Sequence, residues 1–405
     1  MPNKRIAAER SPPNLLTLVC VAGLGGITMN MFLPSLPSMA KYFSAPAAVM
    51  QLTISVYLAA SAVLQLVIGP LSDRFGRRNV MLNCLVFFLL GTLICIAANS
   101  VELLILGRII QASSVAGMVL SRAIVRDLYK PEEAASMIAY VTMGMAIGPM
   151  IAPVIGGMLD ELYGWQASFM LMLALGIIVL IIAYIDMGET NKTEYTSFRD
   201  QFRQYPELFR SRRFWGYVVT AAFSSGAFFA LLGGGPFVAT EVLHLTPTRY
   251  GLYFGCVAIG YILGNFASGR MSARLGLLKM IFIGSLTVMF GLLICIGLLN
   301  LGFTHPAAVF GPMFFVGFGN GMVLPNTSAG IVSVRPKLAG TASGLGGSLQ
   351  IGGGAIISAL AGTLVSAHGT ASVLFIVMLV SALLAVCSAL YVGYVDYLIK
   401  TGKSA

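Results

Sequence analysis

Apolar and polar positions alternate on a long wavelength in this chain. Apolar runs cover roughly 15–36, 47–70, 79–98, 103–125, 136–159 and 166–186, then 214–238, 250–271, 277–299, 306–328, 340–366 and 371–395. A helix needs about 20 apolar residues to cross a hydrocarbon core of roughly 30 Å. The pattern therefore predicts an all-α integral membrane protein of about twelve transmembrane helices. The densest polar cluster is Gly69-Pro70-Leu71-Ser72-Asp73-Arg74-Phe75-Gly76-Arg77-Arg78, a turn between the second and third runs. It returns, weakened, as Gly269-Arg270-Met271-Ser272-Ala273-Arg274-Leu275-Gly276, at a shift of 200 residues in a chain of 405. A shift of half the chain implies two pseudo-symmetric six-helix bundles, 1–186 and 214–405. A polar linker, 187–213, joins them and carries Lys192, Arg199, Arg203, Arg210, Arg212 and Arg213.

Composition agrees with a membrane protein: 57% of residues are hydrophobic, 10% are charged, and the mean hydropathy is +0.87. A net charge of +10 would suggest nucleic acid in a soluble protein, but here its distribution has a different cause. With the N-terminus inside, all lysines and arginines except Lys41, Arg249 and Arg108 fall in inside loops, tails or the linker. That is the positive-inside bias, and it places both termini in the cytoplasm. The basic N-terminal stretch leads into a full-length apolar run, so it reads as an anchor rather than a cleaved signal. The six cysteines (Cys20, Cys84, Cys95, Cys256, Cys295 and Cys387) lie in apolar runs without redox or metal spacing. His244, His305 and His368 have no metal spacing either, and no Gly-x-x-x-x-Gly-Lys-Ser/Thr loop is present. No cluster of acid, base and nucleophile sits at one depth. We expect no enzyme activity, no cofactor, no metal and no nucleic-acid partner.

The order of the motifs carries a resemblance. The charged turn after the second run, its copy after the eighth, and about twelve spans in two halves resemble the major facilitator superfamily. Asn30-Met31-Phe32-Leu33-Pro34-Ser35-Leu36-Pro37 is similar to a first-helix motif of its Bcr/CflA branch, the drug–proton antiporters linked to bicyclomycin and chloramphenicol resistance. Arg126-Asp127-Leu128-Tyr129, Leu324-Pro325-Asn326 and Ala339-Gly340-Thr341-Ala342-Ser343 resemble further motifs of that branch. The resemblance runs nearly end to end. It implies a monomeric, multi-pass transporter in the bacterial inner membrane, exporting small amphipathic compounds by alternating access in exchange for protons. The alternatives are export of an endogenous metabolite such as a siderophore, and an importer or uniporter with weak proton coupling.

Three groups of residues are candidates for that work. Gly69, Asp73, Arg74, Gly76, Arg77 and Arg78 fix topology as a solvated loop. The resemblance adds a conformational latch, in which Asp73 faces the positive N-terminus of span 11 near Gly340. Ala273 stands in the second copy, so the latch is expected on one half only. Gly148, Pro149, Pro153, Gly156 and Gly157 in span 5 allow close helix packing, and they also resemble the antiporter motif of exporters, a bent seam against the other half. Sparse polar and aromatic stripes read either as inter-helix hydrogen bonds or as the lining of a central cavity. They comprise Tyr57 and Gln65 in span 2, Phe228 in span 7, Tyr253, Tyr261 and Asn265 in span 8, Asn320 and Asn326 in span 10, and Gln350 in span 11. Arg108 lies inside span 4 with Gln111 beside it, while Asn30 stands where the resembled branch has an aspartate. Every acidic residue falls in a loop, a tail or a span end. Arg108 then either snorkels and bonds to carbonyls, or makes the cavity net positive and favours an anionic substrate. In the second case proton coupling is weak or runs through an edge carboxylate such as Glu241 or Asp127.

Overall fold

The computed structural model describes residues 13–129, 131–191, 206–303, 305–335 and 338–401. Lys4, Arg5, Arg10, Lys130, Lys192, Arg199, Arg203, Lys337 and Lys403 lie outside the described residues, as does the centre of the linker. Twelve long helices follow one another: α1 Leu15–Tyr42, α2 Ala47–Phe75, α3 Arg77–Ile96, α4 Val101–Leu128, α5 Pro131–Tyr163, α6 Gln166–Asp186, α7 Arg212–Val242, α8 Pro247–Leu275, α9 Leu277–Asn300, α10 Pro306–Ser333, α11 Ala339–His368 and α12 Ala371–Lys400. Eleven of them contain a stretch long and apolar enough to cross a membrane. α5 stands where the sequence expects the remaining span. Successive helices run in opposite directions. One end of the assembly, the basic face, therefore gathers the α2–α3 and α8–α9 turns with the starts of α1, α5, α7 and α11; the other is the far face.

The two related turns have the same backbone. Gly76 ends α2 and begins α3 at φ 91°, ψ 145°, and Gly276 ends α8 and begins α9 at φ 83°, ψ 158°. That region is open to glycine and closed to side chains. In both turns the glycine N–H donates to the serine four residues back, Ser72 at 3.0 Å and Ser272 at 2.9 Å. A single residue thus reverses the chain with no loop, which explains why Gly76 and Gly276 recur while their neighbours drift.

Three spans are interrupted. In α1 the helix stops at Asn30, passes a 3₁₀ turn at Leu33–Ser35 and resumes at Leu36. Pro34 and Pro37 lack the N–H that would continue the ladder. α4 has a 3₁₀ turn at Ala112–Ser114, and α10 breaks between Phe310 and Met313. The breaks in α1 and α4 flank Arg108, and a mid-helix 3₁₀ turn is a common hinge.

Helix packing rests on missing side chains. A Cβ on Gly156 would strike the Met31 carbonyl of α1, and one on Gly317 or Gly321 would strike carbonyls of α8. Without a hydrophobic drive between helices in lipid, such close backbone approach supplies the packing energy. We expect alanine at Gly76 or Gly276 to destabilise the protein by about 1–3 kcal/mol each from backbone strain. Gly76→Ala should cost more, because its Cβ also meets the Glu189 carboxylate whereas Gly276 faces open space. Thermal melts of the two purified variants check the order; equal melting temperatures would refute it.

Candidate functional site

Two seams join the halves. At the α5–α8 seam Gly251 lies against the Pro153 carbonyl and Gly157 against the Pro247 carbonyl, so that a Cβ on either would come within 2.5 Å. Beside them the Glu161 carboxylate of α5 accepts the Thr248 N–H of α8 at 3.0 Å. All of this lies at the far face. The α2–α11 seam runs deeper. The Ser348 hydroxyl donates to the Ala62 carbonyl at 2.6 Å, and the Ser366 hydroxyl donates to Gln51 Oε1 at 3.4 Å. The glycines of α5 divide between the two jobs. Gly148, Gly156 and the Pro149 ring pack on α1 within the first half, while Gly157 and the Pro153 carbonyl meet the second.

At the basic face the described ion pairs stay within each half. Asp73 pairs with Arg77 at 2.5 Å, and Arg77 reaches Asp127 of α4 at 3.0 Å. Arg78 donates to the Met187 carbonyl at 2.7 Å and the Tyr184 carbonyl at 3.0 Å, while Arg74 lies 5.2 Å over the Phe75 ring. In the second half Arg213 pairs with Asp396 at 2.6 Å and Arg335 with Glu207 at 2.9 Å. None of these four described ion pairs joins the halves. Among the described contacts, the Asp73 carboxylate is held by Arg77 inside its own half. The carboxylate on a helix N-terminus at this turn is instead Glu189, which accepts the Arg77 N–H at 2.9 Å and the Arg78 N–H at 3.3 Å.

Arg108 is fully buried, about 10 Å along α4 from its far-face end at 1.5 Å per residue. Its guanidinium carbon lies 4.1 Å from the Phe32 ring centre and 4.4 Å from that of Tyr57. Two aromatic faces thus hold a charge that no carboxylate among the described residues meets. Nη1 donates to Gln111 Oε1 and, at 3.3 Å, to the Thr28 carbonyl; Nε and Nη2 have no partner. Gln111 is fixed by Thr92, at 2.9 Å, and Tyr57 by the Ser114 hydroxyl, at 2.9 Å. Asn30 Nδ2 donates to the Gly26 carbonyl at 2.8 Å, and Oδ1 is buried without a partner.

The structure therefore gathers Asn30, Tyr57, Arg108 and Gln111 around the α1 and α4 breaks, but inside the first half rather than on an open cavity wall. Asn320 and Asn326 also point into their own half: Asn320 accepts from Ser224 at 2.7 Å, and Asn326 donates to Ser268 at 2.8 Å. This geometry fits their inter-helix reading. Gln65 lies on the α2–α11 seam, its Oε1 3.0 Å from where a Gly347 Cβ would stand. Tyr261, Asn265 and Gln350 are half-buried. Asn265 Nδ2 donates to the Tyr261 carbonyl of its own helix at 2.8 Å. Phe228 and Tyr253 belong to an aromatic cluster, with Phe228 6.0 Å from Phe254 and Tyr253 stacked 5.9 Å from Phe310. A separate cleft of about 370 Å³ opens at the far face, lined in part by Lys41 and Glu241 and by none of the predicted cavity residues. Among the described residues no group of three metal-ligating side chains converges.

Two helical bundles with glycine-lined seams between them, built from helices long and apolar enough to cross a membrane, define the molecule's architecture. Residues 18–350 and 235–401 match the Major Facilitator Superfamily, and the chain belongs to that family. It is 31% identical to the uncharacterized MFS-type transporter YdgK of Bacillus subtilis, over 84% of this chain and 86% of the relative. It is 30% identical to the bicyclomycin resistance protein homolog of Haemophilus influenzae, over 85% of this chain and 88% of the relative. With multidrug resistance protein D of Escherichia coli it shares 28% identity, over 94% of this chain and 95% of the relative. These relatives support the Bcr/CflA branch. A bacterial homolog of the human lysosomal transporter Spinster, solved inward-facing and occupied, has the same fold, with a TM-score of 0.71, 18% identity and coverage of 95% and 96% of the two chains. Members of the family are transporters, not enzymes. A small-molecule substrate and a membrane setting follow.

Glu161 escaped the sequence reading, though a signal was present. Asp160 and Glu161 stand in the last turn of α5, where the helix dipole disfavours acids. An acid placed there has a partner elsewhere: Asp160 accepts from Ser38 at 2.8 Å, and Glu161 takes the start of α8. A carboxylate at a helix N-terminus contributes about 0.3–1 kcal/mol. Glu161→Gln should therefore loosen the far-face seam and speed maleimide labelling of a Val154→Cys probe about two- to five-fold. An unchanged rate would show that this contact does not hold the halves together.

Proposed function

We propose that this protein is a secondary exporter of small amphipathic compounds in the bacterial inner membrane, with both termini cytoplasmic. Its halves rock about a central path and open it to each side in turn, in exchange for protons. The observation that carries the reading is the asymmetry of the contacts between the halves. At the far face, taken as periplasmic from the arginine and lysine bias, backbone meets backbone at Gly157 and Gly251 and Glu161 bridges the halves. At the basic face the described ion pairs stay within each half. With no described ion pair joining the halves at the basic face, that is the side we take to open for loading cargo. The names of the relatives, bicyclomycin resistance and multidrug resistance, support drug-like cargo.

Asp73 fits the latch role in the opposite state. Held by Arg77 here, it becomes free to meet the start of α11 when the basic ends of α2 and α11 close. Proton exchange is the finer part of the reading. Asn30 offers no titratable group on α1, so the coupling group falls to an edge carboxylate, Asp127 or Glu241.

Energised cells expressing the protein should accumulate less of a drug drawn from a broad panel, and a protonophore should abolish the difference. Greater accumulation in the expressing cells would support an importer instead. Asp73→Asn should insert normally and lower transport about ten-fold, the effect of some 1.4 kcal/mol on the switching barrier. Unchanged transport at equal expression would reduce Asp73 to a loop residue.

A further inference from the structure

Charge inside this protein is distributed with one sign. Every acidic residue in these twelve helices lies within four residues of a helix end: Asp73 in α2, Glu102 and Asp127 in α4, Glu132, Glu133, Asp160 and Glu161 in α5, Asp186 in α6, Glu241 in α7 and Asp396 in α12. Two arginines of α4 lie deeper. Arg108 has two donor nitrogens without partners and only rings and neutral groups around it. Arg122, 14 residues further toward the basic face, is half-buried, and its Nε is likewise buried without a partner. Its titratable neighbours are Tyr261, on α8 of the other half, and Arg126 on the next turn. Arg126 in turn lies among Arg77, Asp127 and Asp73. Fourteen residues at 1.5 Å each set the two backbone positions about 21 Å apart along α4.

An arginine at membrane depth is disfavoured unless something pairs with it. A buried donor left unsatisfied adds a further cost. Arg108 has its two rings. Arg122 lies near Tyr261 of the other half, and its Nε has no partner among the described side chains. A guanidinium with an unpartnered donor matches a planar, bidentate anion such as a carboxylate.

We propose that the compound moved by this protein carries an anionic group of carboxylate class, which Arg122 receives between the halves while the uncompensated charge of Arg108 draws it inward. Arg122 is the contacting group. Arg108 acts through its field, which low-dielectric surroundings screen weakly. This inference rests on the reading of the protein as a transporter and names the cargo of the same path.

The test uses the full chain in lipid nanodiscs and two xanthene dyes of similar size, anionic carboxyfluorescein and cationic tetramethylrosamine, with binding followed by fluorescence anisotropy. Carboxyfluorescein should bind at least about ten-fold more tightly than tetramethylrosamine, the equivalent of one charge-assisted contact. Arg122→Gln should bring the two affinities close together, and Arg108→Gln should weaken only the anion. Arg122→Lys should keep the preference, which separates loss of charge from loss of fold, and added salt should weaken the anion alone. Tighter binding of the cation, binding of neither dye, or an Arg122→Gln variant with unchanged anion affinity would overturn the inference. The transporter reading stands or falls separately, on drug accumulation in cells.

Discussion

Carboxylates set on the N-termini of neighbouring helices tie this structure together. The first N–H groups of any helix lack an intrahelical partner, and near lipid there is little water to serve them. Asp186, at the end of α6, accepts the Asn14 N–H at the start of α1 at 2.8 Å. Glu189, just beyond α6, takes the first N–H groups of α3. Glu161, at the end of α5, takes the start of α8. The first two contacts lie at the basic face and close the ring of helices within the first half. The third lies at the far face and crosses to the second half. One interaction therefore does two jobs: within a half it makes a rigid body, and between halves it makes a contact that can be released.

That division supplies what a rocking transporter requires. Each bundle needs internal contacts too many and too close to break, and the glycine-to-carbonyl packing of α1 on α5 and of α8 on α10 provides them. The seams between bundles need contacts that are tight when made and still able to part. Gly157 and Gly251 give the closeness, while Glu161–Thr248 and Ser348–Ala62 give a small number of hydrogen bonds. The apolar core also runs across these seams, joining Met50 and Ile54 of the first half with Phe229 and Val365 of the second in one cluster.

The sequence exposed the frame of this fold more fully than the site. Span positions were legible because each helix must carry an uninterrupted apolar stretch, and the Gly76/Gly276 pair was legible because only glycine accepts that backbone. Which way a lone polar residue points was not. In lipid both faces of a helix are apolar, so Asn320 gives no sign that it turns toward Ser224 rather than toward a path, and Tyr57 gives none that it covers Arg108. The latch at Asp73 was read from its own loop, but its partner depends on a long-range arrangement, and here Arg77, four residues on, takes the carboxylate. Glu161 was legible only as an acid at the wrong end of a helix dipole.

The central claim is that the two faces open alternately about seams built in this way. Electron–electron double resonance on spin labels tests it directly, in a chain freed of its six cysteines. One label pair would span the basic face at Arg74 and Arg274, and another the far face at Tyr163 and His244. Conditions that drive transport should lengthen the far-face distance while shortening the basic-face distance. Two distances that stay fixed, or that lengthen together, would contradict the account.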